Sequence, residues 1–200
     1  MRFIFILSSL IALGLNSAVA TPVLYFNGSF SFDSSTDSLQ VTATVDNAIN
    51  VSQPVSNNST FTFTTQLLGV QGNGPLVESN FGSQQNGNDF SIIDGTNTLL
   101  DGTINSLLMS GFQGSNFGAL TGDLDASGGS LLNDFLLDTS LFALQLNLTS
   151  PFSLTMFDGD FSGLLDGSLT GVPASISEPA PISILMMGLC ALIYIRRKQK

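Results

Sequence analysis

The 200-residue chain has no histidine and no tryptophan, one cysteine and only five basic residues. Those five are Arg2, Arg196, Arg197, Lys198 and Lys200, so the stretch from 21 to 177 contains no cationic side chain. Of the 15 acidic residues only Glu178 lies outside that stretch, which gives it a formal side-chain charge of −14. Each absence excludes a class of chemistry. Without His, Lys, Arg or Cys there is no ordinary general base and no cation to activate a nucleophile, so serine–histidine, cysteine–histidine and zinc–histidine mechanisms are ruled out. Phosphate binding needs positive charge, which argues against a nucleic-acid partner. The single cysteine, Cys190, excludes an intramolecular disulfide. No internal salt bridge can form within 21–177, and its carboxylates must lie exposed, cap turns or meet a metal ion.

Carboxylate-only catalysis survives that filter. A glycosidase pair needs two carboxyls about 5–10 Å apart in a cleft, normally among sugar-stacking aromatics. Residues 21–177 offer only Tyr25 beside their phenylalanines, and the Asp-Thr-Gly or Asp-Ser-Gly sequence of aspartic proteases does not occur. The expectation is a protein that is not an enzyme.

Charge and apolarity are concentrated at the two ends. Met1-Arg2, the apolar run from Phe3 to Leu15 and the small residues Ala18-Val19-Ala20 have the layout of a secretory signal peptide, cleaved after Ala20. At the other end Ser177-Glu178-Pro179-Ala180-Pro181 precedes an apolar run, Ile182 to Ile195, and then Arg196-Arg197-Lys198-Gln199-Lys200. The run is 14 residues, about 21 Å as a helix. It spans a bilayer marginally, as a single transmembrane helix, once Ala180 and Pro181 are added and the arginines reach for the headgroups. Its basic flank stays cytoplasmic, which places residues 21–176 outside. The expected organisation is a signal peptide at 1–20, an acidic β-rich exported domain at 21–176 and a sorting segment at 177–200.

The Glu-Pro pair, the short apolar run and the Arg-rich end resemble the PEP-CTERM sorting signal of exported proteins in Gram-negative bacteria that make extracellular polysaccharide. Glu178 and Pro179 match its Pro-Glu-Pro box, and Ser177 stands where the family has its first proline. The resemblance implies export through the Sec translocon, membrane retention by the C-terminal helix, and recognition of Ser177, Glu178 and Pro179 by an exosortase, which removes the tail. The basic residues Arg196, Arg197, Lys198 and Lys200 are its cytoplasmic stop. It further implies a destination at the cell surface or in a biofilm matrix, next to exopolysaccharide.

Between the ends, apolar residues alternate with polar ones at period two: Phe30 and Phe32; Leu39, Val41, Ala43 and Val45; Phe61 and Phe63; Phe142, Leu144, Leu146 and Leu148; Phe152, Leu154 and Met156. Turn formers separate the runs, at 33–37, 57–59, 72–75 and 86–89, and four Asp-Gly pairs begin at Asp94, Asp101, Asp158 and Asp166. The pattern predicts an all-β domain of about ten short strands, an antiparallel β-sandwich or jelly-roll-like fold. Phenylalanine without tryptophan reads as core, not as a ligand platform. The related segments Leu99-Leu100-Asp101-Gly102-Thr103 and Leu164-Leu165-Asp166-Gly167-Ser168 read as hairpin edges sharing one turn chemistry.

Two kinds of candidate site remain. Asp123, Asp125 and Ser127 fall at positions 1, 3 and 5 of a calcium loop, with Gly128 at 6 and Asp134 at 12. The competing reading is a strand with Leu124 and Ala126 inward, followed by a Gly-Gly turn. Asn27, Asn50, Asn57, Asn58 and Asn147 each begin an Asn-x-Ser/Thr triplet, a formal glycan acceptor. The sequence therefore leads to a non-enzymatic matrix or surface protein that needs no cofactor. Its alternatives are an adhesin that binds carbohydrate through calcium and a carboxylate-based glycan hydrolase.

Overall fold

Strands of 21–171 alternate as the sequence predicts, and the sheet they form closes on itself. The computed structural model describes residues 21–83, 88–135 and 140–171. In chain order the elements are β1 (Val23–Asp33), β2 (Ser38–Ile49), β3 (Thr60–Asn73), β4 (Leu76–Gly82), β5 (Phe90–Asp94), β6 (Asn97–Phe112), β7 (Phe117–Gly128), a one-turn helix α1 (Leu132–Phe135), β8 (Ser140–Leu148), a turn of 3-10 helix (Met156–Asp158) and β9 (Phe161–Thr170). Every pairing is antiparallel. β4 and β5 share one position between β3 and β6: β4 pairs with Gln66–Asn73 of β3, and β5 with Thr60–Phe63. Counted that way, eight strand positions run up and down in sequence order, and β9 returns to β1 with Val23 opposite Thr170 and Phe32 opposite Phe161.

The all-β expectation holds, but the two-sheet sandwich or jelly roll gives way to an up-and-down barrel. An eight-stranded barrel has an interior just wide enough for side chains to fill, and phenylalanine fills this one. Of the phenylalanines between 21 and 177 only Phe112 and Phe117 are exposed. Phe26 stacks on Phe61 at 4.5 Å between ring centres, and Phe32 meets Phe81, Phe157 and Phe161 at 6.3, 5.5 and 5.0 Å. Outward positions on β1 and β2, such as Ser29, Ser31, Gln40, Thr42 and Thr44, are polar and exposed. On these two strands the polarity is the reverse of a membrane-spanning barrel, whose apolar band faces out, whereas Leu68, Leu141 and Leu164 are exposed on β3, β8 and β9.

Both barrel ends are covered. At the end where β1 enters and β9 leaves, Leu131 and Phe135 are buried, and Val51 and Val55 of the 50–58 strap pack on the core. At the far end the β8–β9 connection lays Phe152 on Gly111 and Gly118, where a β-carbon would collide with its ring. The run Phe152, Leu154 and Met156, expected as a strand, is this plug: Phe152 and Met156 are buried, whereas Leu154 is half exposed. Its alternation reflects a loop folding inward twice.

Two of the four Asp-Gly pairs also lie elsewhere than expected. Asp94-Gly95 makes the β5–β6 turn, with Gly95 at φ +61°, and Asp158-Gly159 ends the 3-10 turn. Asp101-Gly102 and Asp166-Gly167, however, sit inside β6 and β9. At Gly102 the strands approach so closely that a β-carbon would meet the Asp125 carbonyl. The two similar segments thus mark places where a tightly coiled barrel needs an inward glycine.

Asp89 joins the broken strand position. Its amide donates to the Gly102 carbonyl (2.8 Å) and its carbonyl accepts from Thr64 (3.1 Å). Its carboxylate takes the Ile104 amide (2.9 Å) and the Ser83 hydroxyl (3.0 Å). It is the one charged side chain in the buried set of described residues. Asp89→Ala orphans a buried amide and should destabilise by about 1–3 kcal/mol, with Asp89→Asn closer to wild type because its amide oxygen still accepts. Chemical denaturation followed by circular dichroism checks this, and an unchanged midpoint for Asp89→Ala would contradict it. The reverse applies at Thr65, whose buried hydroxyl has no hydrogen-bond partner. Thr65→Val should leave stability unchanged or raise it by up to about 1 kcal/mol in the same assay.

Candidate functional site

A filled barrel leaves its outer wall as the place for contacts. The wall is concave across β8, β9, β1 and β2, where a depression of about 610 Å³ is lined by Ser29, Ser31, Gln40, Thr42, Asn147 and Ser162, among others. The strand alternation that buries Phe30 and Phe32 turns their serine neighbours out. Gly163 lets β9 press against β8, because a β-carbon there would strike the Asn147 carbonyl and the Phe30 ring. The lining sets hydroxyl and amide side chains, able both to donate and to accept, beside the exposed Leu164, and carries no charge.

Toward the far end this groove runs into a second depression that shares Ser31, Gln40, Thr149 and Ser162 and adds Asp33 and Asp160. In each carboxylate Oδ1 is engaged. Asp160 Oδ1 accepts the Ser34 amide (2.9 Å) and hydroxyl (2.8 Å), which ties the β8–β9 connection to the β1–β2 turn. Asp33 Oδ1 accepts the Ser35 hydroxyl (2.6 Å) and amide (2.8 Å). The Ser35 hydroxyl, then its amide, hold the Asp33 carboxyl below the ordinary aspartate range. A lowered carboxyl stabilises the fold above its unfolded-state value, and that contribution fades as pH falls through the folded one.

The calcium quartet is spread out. Asp123, Asp125 and Ser127 follow one another along β7, a strand with Leu124 and Ala126 buried, and Gly129 turns the chain at φ +103°. Alternate residues of a strand stand about 6.8 Å apart, whereas calcium ligands lie about 2.3–2.6 Å from one ion. Asp123 accepts from the Ser106 hydroxyl (3.3 Å). Asp134, on α1, instead accepts the Ser52 amide (2.8 Å) and hydroxyl (2.9 Å) of the strap. Among the described residues no three acidic or cysteine side chains gather into a metal-holding group.

The five glycan-acceptor asparagines are all exposed. Asn27 and Asn147 project from β1 and β8, and Asn147 lines the neutral groove. Asn50, Asn57 and Asn58 belong to the strap, where Asn50 at φ +57° donates to the Thr21 carbonyl (3.0 Å).

The cleavage residues Ala18 and Ala20, the sorting residues Ser177, Glu178 and Pro179, the apolar run and the basic residues 196–198 and 200 lie outside the described residues. Among those described, no helix is long and apolar enough to cross a membrane. Sequence reasoning missed Gln40, Thr42 and Ser162 as a groove, since serine, threonine and glutamine occur all over the wall and only curvature singles these out. The chain matches no protein-family model, no curated protein and no solved structure.

Proposed function

We propose that this is an exported, non-enzymatic protein of the cell surface or extracellular matrix, delivered by its C-terminal sorting segment and released by an exosortase. The observation that carries the reading is the order Glu178-Pro179, apolar run, Arg196-Arg197-Lys198. The barrel supports it, because β9 ends at Thr170 and already bonds to β1, so closure needs nothing beyond Gly171. The hydrated wall and its unbalanced carboxylates suit a molecule dispersed in a polysaccharide gel, with divalent cations as bridges to anionic polymer.

Intact mass and terminal peptide mapping of the protein from its native producer, in membrane and extracellular fractions separately, test this. The expected mature form begins near Thr21 and ends near Glu178. A membrane form still ending at Lys200, with none released, would refute processing and make the protein a tail-anchored one.

A second reading is an adhesin that binds carbohydrate, favoured by the neutral groove of Ser29, Ser31, Gln40, Thr42, Asn147 and Ser162. Hydroxyl and amide groups there match the hydrogen bonding of a polyol. Saturable binding of the producer's polysaccharide, lost in a Gln40→Ala/Asn147→Ala variant, would support it. Loss on chelation would add the calcium dependence. A glycan carried on Asn147 would occupy the same groove and block such binding.

A further inference from the structure

Phe112 and Phe117, the two phenylalanines left outside the barrel, lie together. Phe112 ends β6 and Phe117 begins β7, and the register that sets Gly111 opposite Gly118 brings them opposite each other across the hairpin. Gly111 and Gly118 lie inward beneath Phe152, so strand alternation turns their neighbours out. The rings are 62 % and 68 % exposed. The turn between them is fixed. Ser115 donates its amide to the Phe112 carbonyl (2.9 Å) and accepts the Phe117 amide on its hydroxyl (3.0 Å), and Gly114 donates its amide to the Phe152 carbonyl (2.9 Å).

The pair also continues into the neutral groove. Phe117 is opposite Asn147 of β8, Asn147 opposite Leu164 of β9, Leu164 opposite Ser29 of β1, and Ser29 opposite Thr42 of β2. Neighbouring strands lie about 4.8 Å apart, so the six outward side chains from Phe112 to Thr42 form one file about 24 Å long. Its last four members line the groove.

We propose that Phe112 and Phe117 are a stacking platform for sugar rings. A neutral polysaccharide chain lies along the file, with its apolar C–H faces on the two phenylalanines and Leu164 and its hydroxyls on Asn147, Ser29 and Thr42. The inference rests on the carbohydrate-binding reading above and adds to it where the polymer lies, what holds it beyond the groove, and that it is uncharged.

Chemistry selects this occupant. Sugar C–H groups carry partial positive charge, which meets the negative face of an aromatic ring. Sugar hydroxyls both donate and accept, as the amide and hydroxyls of the file do. Charge narrows the choice. None of the six side chains is ionisable, and residues 21–177 have no cation to hold an anionic polymer directly. Asp166, in the adjoining file between Gln145 and Asn27, would repel one. Size argues against a protein partner. Two rings of about 200 Å² each, some two-thirds exposed, present roughly 250 Å² of apolar surface. Each partner in a stable protein interface contributes about 800 Å², more than half of it apolar.

Phe117→Trp gives the chain its only tryptophan, at an exposed position where its emission reports what covers the platform. Unglycosylated full-length F117W in a polyoxyethylene detergent is titrated with neutral glucan, mannan, galactan and xylan oligomers and with anionic alginate oligomers. A saturable blue shift with at least one neutral series, and none with alginate, is expected. In affinity electrophoresis F112A/F117A should bind that same neutral polymer about tenfold more weakly than the unsubstituted chain, with its denaturation midpoint little changed. Neutral binding undiminished in F112A/F117A overturns the platform, and if Q40A/N147A then abolishes it the groove reading stands. Binding to no neutral polymer overturns both. Preference for alginate overturns the neutral occupant. A dimer in sedimentation that F112A/F117A dissociates, without sugar binding, shows a second copy of the chain covering the rings and overturns the platform as well.

Discussion

Phe32→Ala is expected to lower the unfolding free energy by about 4 kcal/mol. The Phe32 ring is 2 % exposed and stacks on Phe161 at 5.0 Å, with edge contacts to Phe157 at 5.5 Å and Phe81 at 6.3 Å. These partners come from β9, the 3-10 turn and β4, so one ring fastens the far-end plug to two distant strands. A closed ladder on all sides cannot collapse into the vacancy, which places the loss in the upper part of the range for such truncations. A domain of this size has about 5–15 kcal/mol in all, so the variant should be close to unfolding at physiological temperature. Phe112→Ala, at a ring 62 % exposed, should change stability by less than about 0.5 kcal/mol. Denaturant titrations by far-ultraviolet circular dichroism suit a region without tryptophan. A Phe32→Ala loss no larger than that of Phe112→Ala would mean the aromatic cluster does not hold the barrel end.

Gly102→Ala should be comparably severe, at about 3 kcal/mol, although it adds a single methyl group. The new β-carbon would sit against the Asp125 carbonyl and the Ala126 α-carbon of β7. Backbone atoms within a hydrogen-bonded ladder cannot step aside as a side-chain tip can. Gly102 also accepts from the Asp89 amide at 2.8 Å, so displacement there disturbs the residue that bridges β4 and β5. Gly69→Ala serves as the comparison, because a β-carbon at Gly69 meets nothing within 4 Å. Equal midpoints for the two variants would show that the close approach at Gly102 is relieved at little energy.

What the sequence displayed was strand identity, wherever one face is uniformly apolar. Phe30 and Phe32, Leu39 to Val45, Phe61 and Phe63, and Phe142 to Leu148 all point inward as their alternation predicts. β4 and β6 were less visible because small or polar residues occupy inward positions: Ser79 is fully buried, and Gly102 and Gly111 make room for neighbours. Period two cannot tell a sandwich from a barrel, since either buries every second residue. Closure depends on the register of all pairings and on local coiling. The trace of coiling that the sequence did carry, glycine inside Leu-rich runs at Gly102 and Gly167, looks the same as a turn signal when read one segment at a time. The groove was less legible still, being a property of curvature across four strands that are not consecutive in sequence.

A sheet whose last strand bonds to its first has no row of unpaired amides and carbonyls to offer another molecule. The pairing of β9 with β1 over Val23–Phe32, and the bridge of Asp89 across the one interruption, leave little backbone on which a neighbouring chain could add a strand. Edge-to-edge growth is the common route by which concentrated β-proteins turn into fibres. In the polysaccharide gel that the proposed function assigns to it, this closure would keep the protein as separate particles whose neighbours meet like-charged side-chain walls and not open strand edges.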